Sequence, residues 1–300
     1  MSNGWKNSMS KNKHPYVFIA PAVIILTVFS IVPIIVAFLI SFTDLDLKGL
    51  ADWSNVSFIG MDNYSALLSD ELFHKSIFNT LFYVVIGVPL VIVFSLGIAL
   101  LLNYGTSKLF TVFRGVYYMP SITNIIAVAV IWGFLYNTEY GLFNYLLSLL
   151  DVEKIPWLGE PTIAKLSLIV LAVWKGIGIN MIIFLAALQG IPKSYYEAAE
   201  MDGANRWQVL KNVTIPLLRY ATFFVTVTTL IGWLQFFEEP FVMTNGGPLD
   251  GTISMALFIY QRGFQFSEFG YAAAGSFILF VIIIIITLVQ FKLRKSDTEY

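Results

Sequence analysis

The sequence predicts an all-α polytopic membrane protein with six transmembrane helices, and three observations predict it. Only 12% of the 300 residues are charged and 57% are hydrophobic, where soluble domains carry about a quarter charged residues. Six stretches reach the roughly 20 apolar residues that cross a bilayer. The Lys and Arg residues between them concentrate on alternate connections, which is how membrane topology is set. The net charge of −1 gives no overall attraction for nucleic acid. With no cysteine in the chain, disulfides, thiolate metal sites and cysteine nucleophiles are excluded.

The polar tail, residues 1–14, carries Lys6, Lys11 and Lys13. The apolar run behind it is too long for the core of a cleaved signal and reads as a retained first span. One transmembrane domain, 15–300, then contains spans at Tyr16–Phe42, Ile77–Leu102, Phe110–Leu135, Ile163–Leu188, Pro216–Phe237 and Tyr271–Leu293. Arg114, Pro120, Asn124 and Lys175 interrupt the third and fourth, so these two line protein or a cavity rather than lipid. An even number of spans puts both termini on one side. That side holds the tail lysines, Lys108, Arg114, Lys193, Arg206, Lys211, Arg219, Lys292, Arg294 and Lys295, and is therefore cytoplasmic. The loops 43–76, 136–162 and 238–270 face outward. Within them, Phe58-Ile-Gly-Met-Asp-Asn-Tyr64 alternates apolar anchors with turn residues. Thr244-Asn-Gly-Gly-Pro248 reads as a tight turn whose Asn-Gly and Gly-Gly supply positive φ. Such loops are either ordinary surface turns or a platform for an external partner.

Between the fourth and fifth spans lies a polar, helix-prone insert, 189–215. Ser194-x-x-Glu197 has the form of a capping box, predicting a short helix over Tyr195–Asp202 that ends at Gly203 in the left-handed region. Asn205-Arg-Trp-Gln208 caps a second helix reaching Asn212, and Thr214 caps the fifth span with Pro216 in its first turn. Ala198 and Ala199 allow close approach of another surface. Tyr195, Tyr196, Met201 and Trp207 supply more apolar surface than a solvated linker needs. The insert is either a protein-docking element or an amphipathic pair on lipid headgroups.

On the spans, three features mark a polar path. Pro120 weakens the backbone ladder beside Ser121 and Asn124. Lys175 lies mid-span, where a lysine costs roughly 2.5–3.5 kcal/mol on insertion scales and needs a cavity or a carboxylate. Thr229, Gly232, Trp233 and Phe236 share one helical face. An aromatic ring with a hydroxyl or amide opposite suits sugars; equally, Trp233 and Phe236 could pack between helices, and Lys175 could pair with Glu238, Glu239 or another subunit. No G-x-x-x-x-G-K-[ST] occurs, so the chain is not itself a P-loop ATPase. His14 and His74 have no metal-ligand spacing, and no metal or catalytic residue is predicted.

The string "YYEAAEMDGANRWQVLKNVTIPLL" resembles the EAA loop of binding-protein-dependent ABC transporter permeases, in particular the sugar-importing branch. "FIGMDNY", "FRGVYYMPS", "GLFNYLL", "IPWLG" and "TNGGP" extend the resemblance along most of the chain, toward the first permease of maltose-type and glycerol-3-phosphate-type importers. Val213 and Ile215 depart mildly from that pattern. The resemblance implies a MetI-like type I permease fold and a non-catalytic subunit of a bacterial or archaeal cell-membrane importer. It also implies a second homologous permease, two ATPase subunits that use ATP and Mg, and an extracellular solute-binding protein that delivers an oligosaccharide or related sugar. Glycerol-3-phosphate or another small polar solute is the alternative cargo, and an ion-coupled secondary sugar transporter the alternative class. Glu197, Ala198, Ala199, Asp202, Gly203 and Arg206 would couple to the ATPase. Ser121, Asn124, Ile125, Lys175, Gly176, Thr229, Gly232, Trp233 and Phe236 would line the substrate path.

Overall fold

The computed structural model describes residues 14–103, 105 and 108–296; the tail lysines Lys6, Lys11 and Lys13 lie outside the described residues. Among the described residues every long element is a helix, and the only β pairing is an isolated bridge between Thr43 and Phe58. In chain order the helices used below are α1 (Tyr16–Ile40), α2 (Glu71–Asn103), α3 (Lys108–Ile122), α4 (Ile125–Leu135), α5 (Pro161–Gln189), α6 (Lys193–Met201), α7 (Arg206–Val209), α8 (Arg219–Leu234), α9 (Glu238–Met243) and α10 (Phe269–Ser296). Among the described residues five segments are each long and apolar enough to cross a membrane, α1, α2, α5, α8 with α9, and α10, and the bent pair α3 and α4 makes a sixth if counted as one span.

The predicted third span is not one helix. α3 and α4 meet at 97°. Pro120 removes a backbone donor near the end of α3, and Asn124 then starts a new helix by accepting from Ile126 N–H at 2.8 Å. The predicted fifth span, Pro216–Phe237, holds α8, and α9 follows just beyond its predicted end, carrying the membrane-crossing segment on to Met243.

Prolines also explain two wider turns. A π-helical turn at Thr27–Ile31 precedes Pro33, and another at Leu210–Thr214 precedes Pro216. In each, an N–H one residue before the proline reaches back five positions, Val32 to Thr27 and Ile215 to Leu210. A proline ring clashes with the carbonyl four residues back, and a widened turn relieves that clash.

The described residues divide into two compact bodies: those up to 69 with 261–277, and those from 70 to 260 with 278–296. In the first, Asn63 donates to the carbonyls of Ser41 (2.9 Å) and Thr43 (2.8 Å), and Tyr64 shares a hydroxyl contact with Ser41 at 2.7 Å. Phe42 packs against Phe58 and Tyr64. The loop after α1 is thus folded around a buried asparagine, as buried polar groups require.

In the second body α5 is the central helix; more than half of its apolar window is buried. It packs on α2, and Tyr83, Val88 and Val91 of α2 join Leu168, Ile169 and Val173 of α5 and Trp233, Leu234 and Phe236 from α8 and its C-terminal end in one core. Loop 244–255 is stitched to α2 by polar bonds. Asn79 donates to Ile253 carbonyl (2.9 Å), Tyr83 to Thr252 carbonyl (3.0 Å), and Thr80 Oγ1 accepts from Met255 N–H (2.9 Å). Asn245 and Gly246 adopt positive φ in the turn.

Candidate functional site

A cavity of about 700 Å³ opens between α3, α5 and α8, floored by Val91 of α2. Its shape depends on one close approach. Gly178 of α5 lies so near α3 that a Cβ there would sit 2.4 Å from Tyr117 carbonyl and 2.5 Å from Ser121 Oγ. Ser121 crosses the gap: its hydroxyl donates to Lys175 carbonyl at 2.6 Å and accepts from Ile179 N–H at 3.2 Å. Asn180 donates to Gly176 carbonyl at 2.9 Å and accepts from Thr229 at 3.5 Å, linking α5 to α8.

Trp233 and Phe236 form an aromatic wall, stacked with centroids 5.2 Å apart and planes 7° apart; such pairs contribute about 0.5–1.5 kcal/mol beyond their buried area. Both are also core residues. The Trp233 ring rests on Gly87, where a Cβ would fall 1.9 Å from it, and Phe236 contacts Tyr83 at 4.8 Å. They line the cavity and pack the helices at once. At the start of α9, Glu238 stands 3.6 Å from Lys175, whose side chain is only 19% exposed. Glu239 is buried and lines the same cavity.

The insert between α5 and α8 is two short helices around a glycine. α6 ends in a Schellman motif: Gly203 has φ +74°, its N–H bonds Glu200 carbonyl (3.0 Å), and Ala204 N–H bonds Ala199 carbonyl (2.9 Å). α7 begins in a complete capping box, with Gln208 N–H to Asn205 Oδ1 at 3.0 Å and Asn205 N–H to Gln208 Oε1 at 2.8 Å. The first predicted box does not form. Pro192 is the cap residue of α6, without a side-chain bond, so Ser194 already lies inside the helix. Thr214 is helical and caps nothing, because the π turn runs through it into Ile215–Leu217, where Pro216 sits. Glu197, Ala198, Asp202, Gly203 and Arg206 are exposed and Ala199 is buried. Met201 and Trp207 are 89% and 68% exposed.

Residues 21–296 match the family described as "Binding-protein-dependent transport system inner membrane component". The chain belongs to that family. It is 38% identical to the probable ABC transporter permease protein YesP of Bacillus subtilis (strain 168), over 95% of this chain and 91% of that protein. It is 33% identical to the arabinooligosaccharides transport system permease protein AraP of the same organism, over 98% and 93%. Its fold matches a chain of the crystal structure of a bacterial alginate ABC transporter in complex with alginate pentasaccharide-bound periplasmic protein, with TM-score 0.82, 24% identity and 99% coverage of both chains.

In this multi-pass permease the structure gathers seven of the nine predicted path residues, Ser121, Lys175, Gly176, Thr229, Gly232, Trp233 and Phe236, around one cavity. Asn124 and Ile125 are not on its lining; Asn124 spends its side chain capping α4. Sequence reasoning passed over Tyr118, Asn180, Thr228 and Gln235, which also line it. Asn180 had a readable signal, an amide on the apolar fourth span. Tyr118 had none, because its place on the lining depends on the close approach of the α3 backbone to Gly178 on a distant helix. The permease also folds its 136–162 loop around Asn144, which bonds Thr138, Ile155 and Trp157.

Proposed function

We propose that the chain is the permease subunit of an ATP-driven importer that moves an oligosaccharide or related sugar by alternating access. The observation that carries this reading is the cavity: it is lined by the stacked Trp233–Phe236 pair together with hydroxyl and amide groups of Tyr118, Asn180, Thr229 and Gln235. Aromatic faces cover the apolar sides of sugar rings, and hydroxyls and amides exchange bonds with their edges. The name of the arabinooligosaccharide relative supports a glycan cargo.

The distribution of Lys and Arg supports an orientation with both termini and the insert 189–215 in the cytoplasm. In this reading the insert is the coupling element. Glu197, Ala198, Asp202, Gly203 and Arg206 dock on one of two ATPase subunits, which bind and hydrolyse ATP with Mg, while the expected contact of Ala199 gives way to a packing role, since it is buried within the chain. ATP-driven closure of those subunits rocks the spans as rigid bodies. A second homologous permease completes the pore in the cell membrane, and a solute-binding protein docks on the outward loops. Uptake of a labelled oligosaccharide into vesicles carrying the assembled importer tests this. Accumulation stops when ATP is depleted while the proton gradient is held. Accumulation that persists under those conditions overturns the reading in favour of an ion-coupled transporter.

A further inference from the structure

The charged side chains lining the cavity, among the described residues, are Lys175, Glu238 and Glu239. The wall therefore sets one cation against two carboxyl groups. The Lys175 side chain is largely enclosed and its ammonium stands 3.6 Å from Oε2 of Glu238, whose side chain is 58% exposed. Beside it, the Ser121 hydroxyl is spent on Lys175 carbonyl and one N–H of the Asn180 amide on Gly176 carbonyl, while the neutral side chains of Tyr118 and Gln235 also line the cavity. A carboxylate or phosphate entering here would have to separate Lys175 from Glu238 and then lie beside two acidic side chains. Taking a charge from water without a free counter-charge is costly. A neutral hydroxyl meets no such cost, because it donates to a carboxylate and accepts from an ammonium without separating them.

We propose that this wall selects uncharged oligosaccharides against those bearing carboxylate or phosphate groups, and that Glu238 determines this specificity by neutralising Lys175. The inference rests on the sugar-importer reading above. It is tested by equilibrium binding of labelled trisaccharides to the assembled importer without its binding protein. The probes are neutral trisaccharides built of glucose, galactose or arabinose, and uronic acid trisaccharides. Wild type is expected to prefer the neutral probes at least tenfold. Glu238→Gln, which keeps size and shape, is expected to cut that preference at least fivefold by tighter binding of the uronates. Lys175→Met added to Glu238→Gln is expected to abolish that gain. An unchanged preference in Glu238→Gln, or a wild type that prefers uronates, overturns the charge inference alone. Failure of every probe to bind wild type overturns the sugar reading, and the charge inference with it.

Discussion

The insert and the cavity are held together by opposite means. From Lys193 to Leu218 the stabilising bonds join residues a few positions apart: Ala204 to Ala199, Asn205 to Gln208, Ile215 to Leu210. The cavity wall is held by bonds that span the chain. Ser121 reaches Lys175 and Ile179 across sequence separations of 54 and 58, and Thr229 reaches Asn180 across 49. A locally closed element moves as a unit, which is what a lever needs. A wall closed by distant contacts has its shape set by the neighbouring helices, so the proposed rocking would reshape it. A substitution in the insert should therefore change how motion is passed on, whereas one in the wall should change whether the fold forms.

The largest effect is expected at Gly178. Its Cβ position is blocked by Tyr117 carbonyl and Tyr118 Cα, both backbone atoms that cannot swing aside. Gly178→Val should separate α3 from α5, break both Ser121 bonds and cost about 3 kcal/mol or more, the upper end of overpacking penalties. Thermal unfolding of the purified importer would show it as a large drop in midpoint, or as failure to assemble. Gly232→Ala is the matched control. It lines the same cavity, but nothing lies within 4 Å of its added Cβ. It should unfold at the wild-type temperature. Equal damage at the two glycines would mean that the close approach of α3 to Gly178 does not hold the wall together.

Gly203 should give a smaller effect of another kind. An added Cβ there meets nothing within 4 Å, so the cost is that of φ +74° alone, roughly 1–2 kcal/mol for an ordinary residue. Gly203→Val should leave the cavity intact and fray the end of α6, lowering the sugar transported per ATP hydrolysed. Gly203→Asn, which tolerates the left-handed region, should retain most of that coupling ratio. A Val variant with wild-type coupling would show that the Schellman turn is not what stiffens the insert.

The same contrast decides what could be read in advance. Gly203 and the Asn205–Gln208 box were legible because cause and consequence lie within five residues. Pro120 and Asn124 announced an interruption of the third span. Its 97° angle was not legible, since it depends on Asn124 capping a new helix rather than facing the cavity. Nothing near Gly178 or Gly87 in sequence says that Ser121 and Trp233 will press on them; those partners lie on other helices. Lys175 was legible as a residue needing a partner, and Glu238 was one of the candidates, but only the turn between α8 and α9 brings the two together.

The smallest predicted effect separates two patterns that look alike. Ser194-x-x-Glu197 and Asn205-x-x-Gln208 both have the spacing of a capping box, yet only the second forms. Pro192 accounts for the first. Its ring fixes φ at −59°, it takes the cap position, and α6 starts at Lys193 with Ser194 already helical. Asn205 follows the Gly203 turn with extended backbone, φ −75° and ψ 167°, which aims its side chain at Gln208 N–H. Asn205→Ala should therefore cost about 1 kcal/mol, the usual loss of an N-cap. The loss should appear as faster hydrogen exchange at Gln208, whose amide is the one the Asn205 side chain holds. Ser194→Ala should leave exchange in α6 unchanged. Protection lost equally in both variants would mean that Ser194 does cap α6, and that the proline does not set where the helix begins.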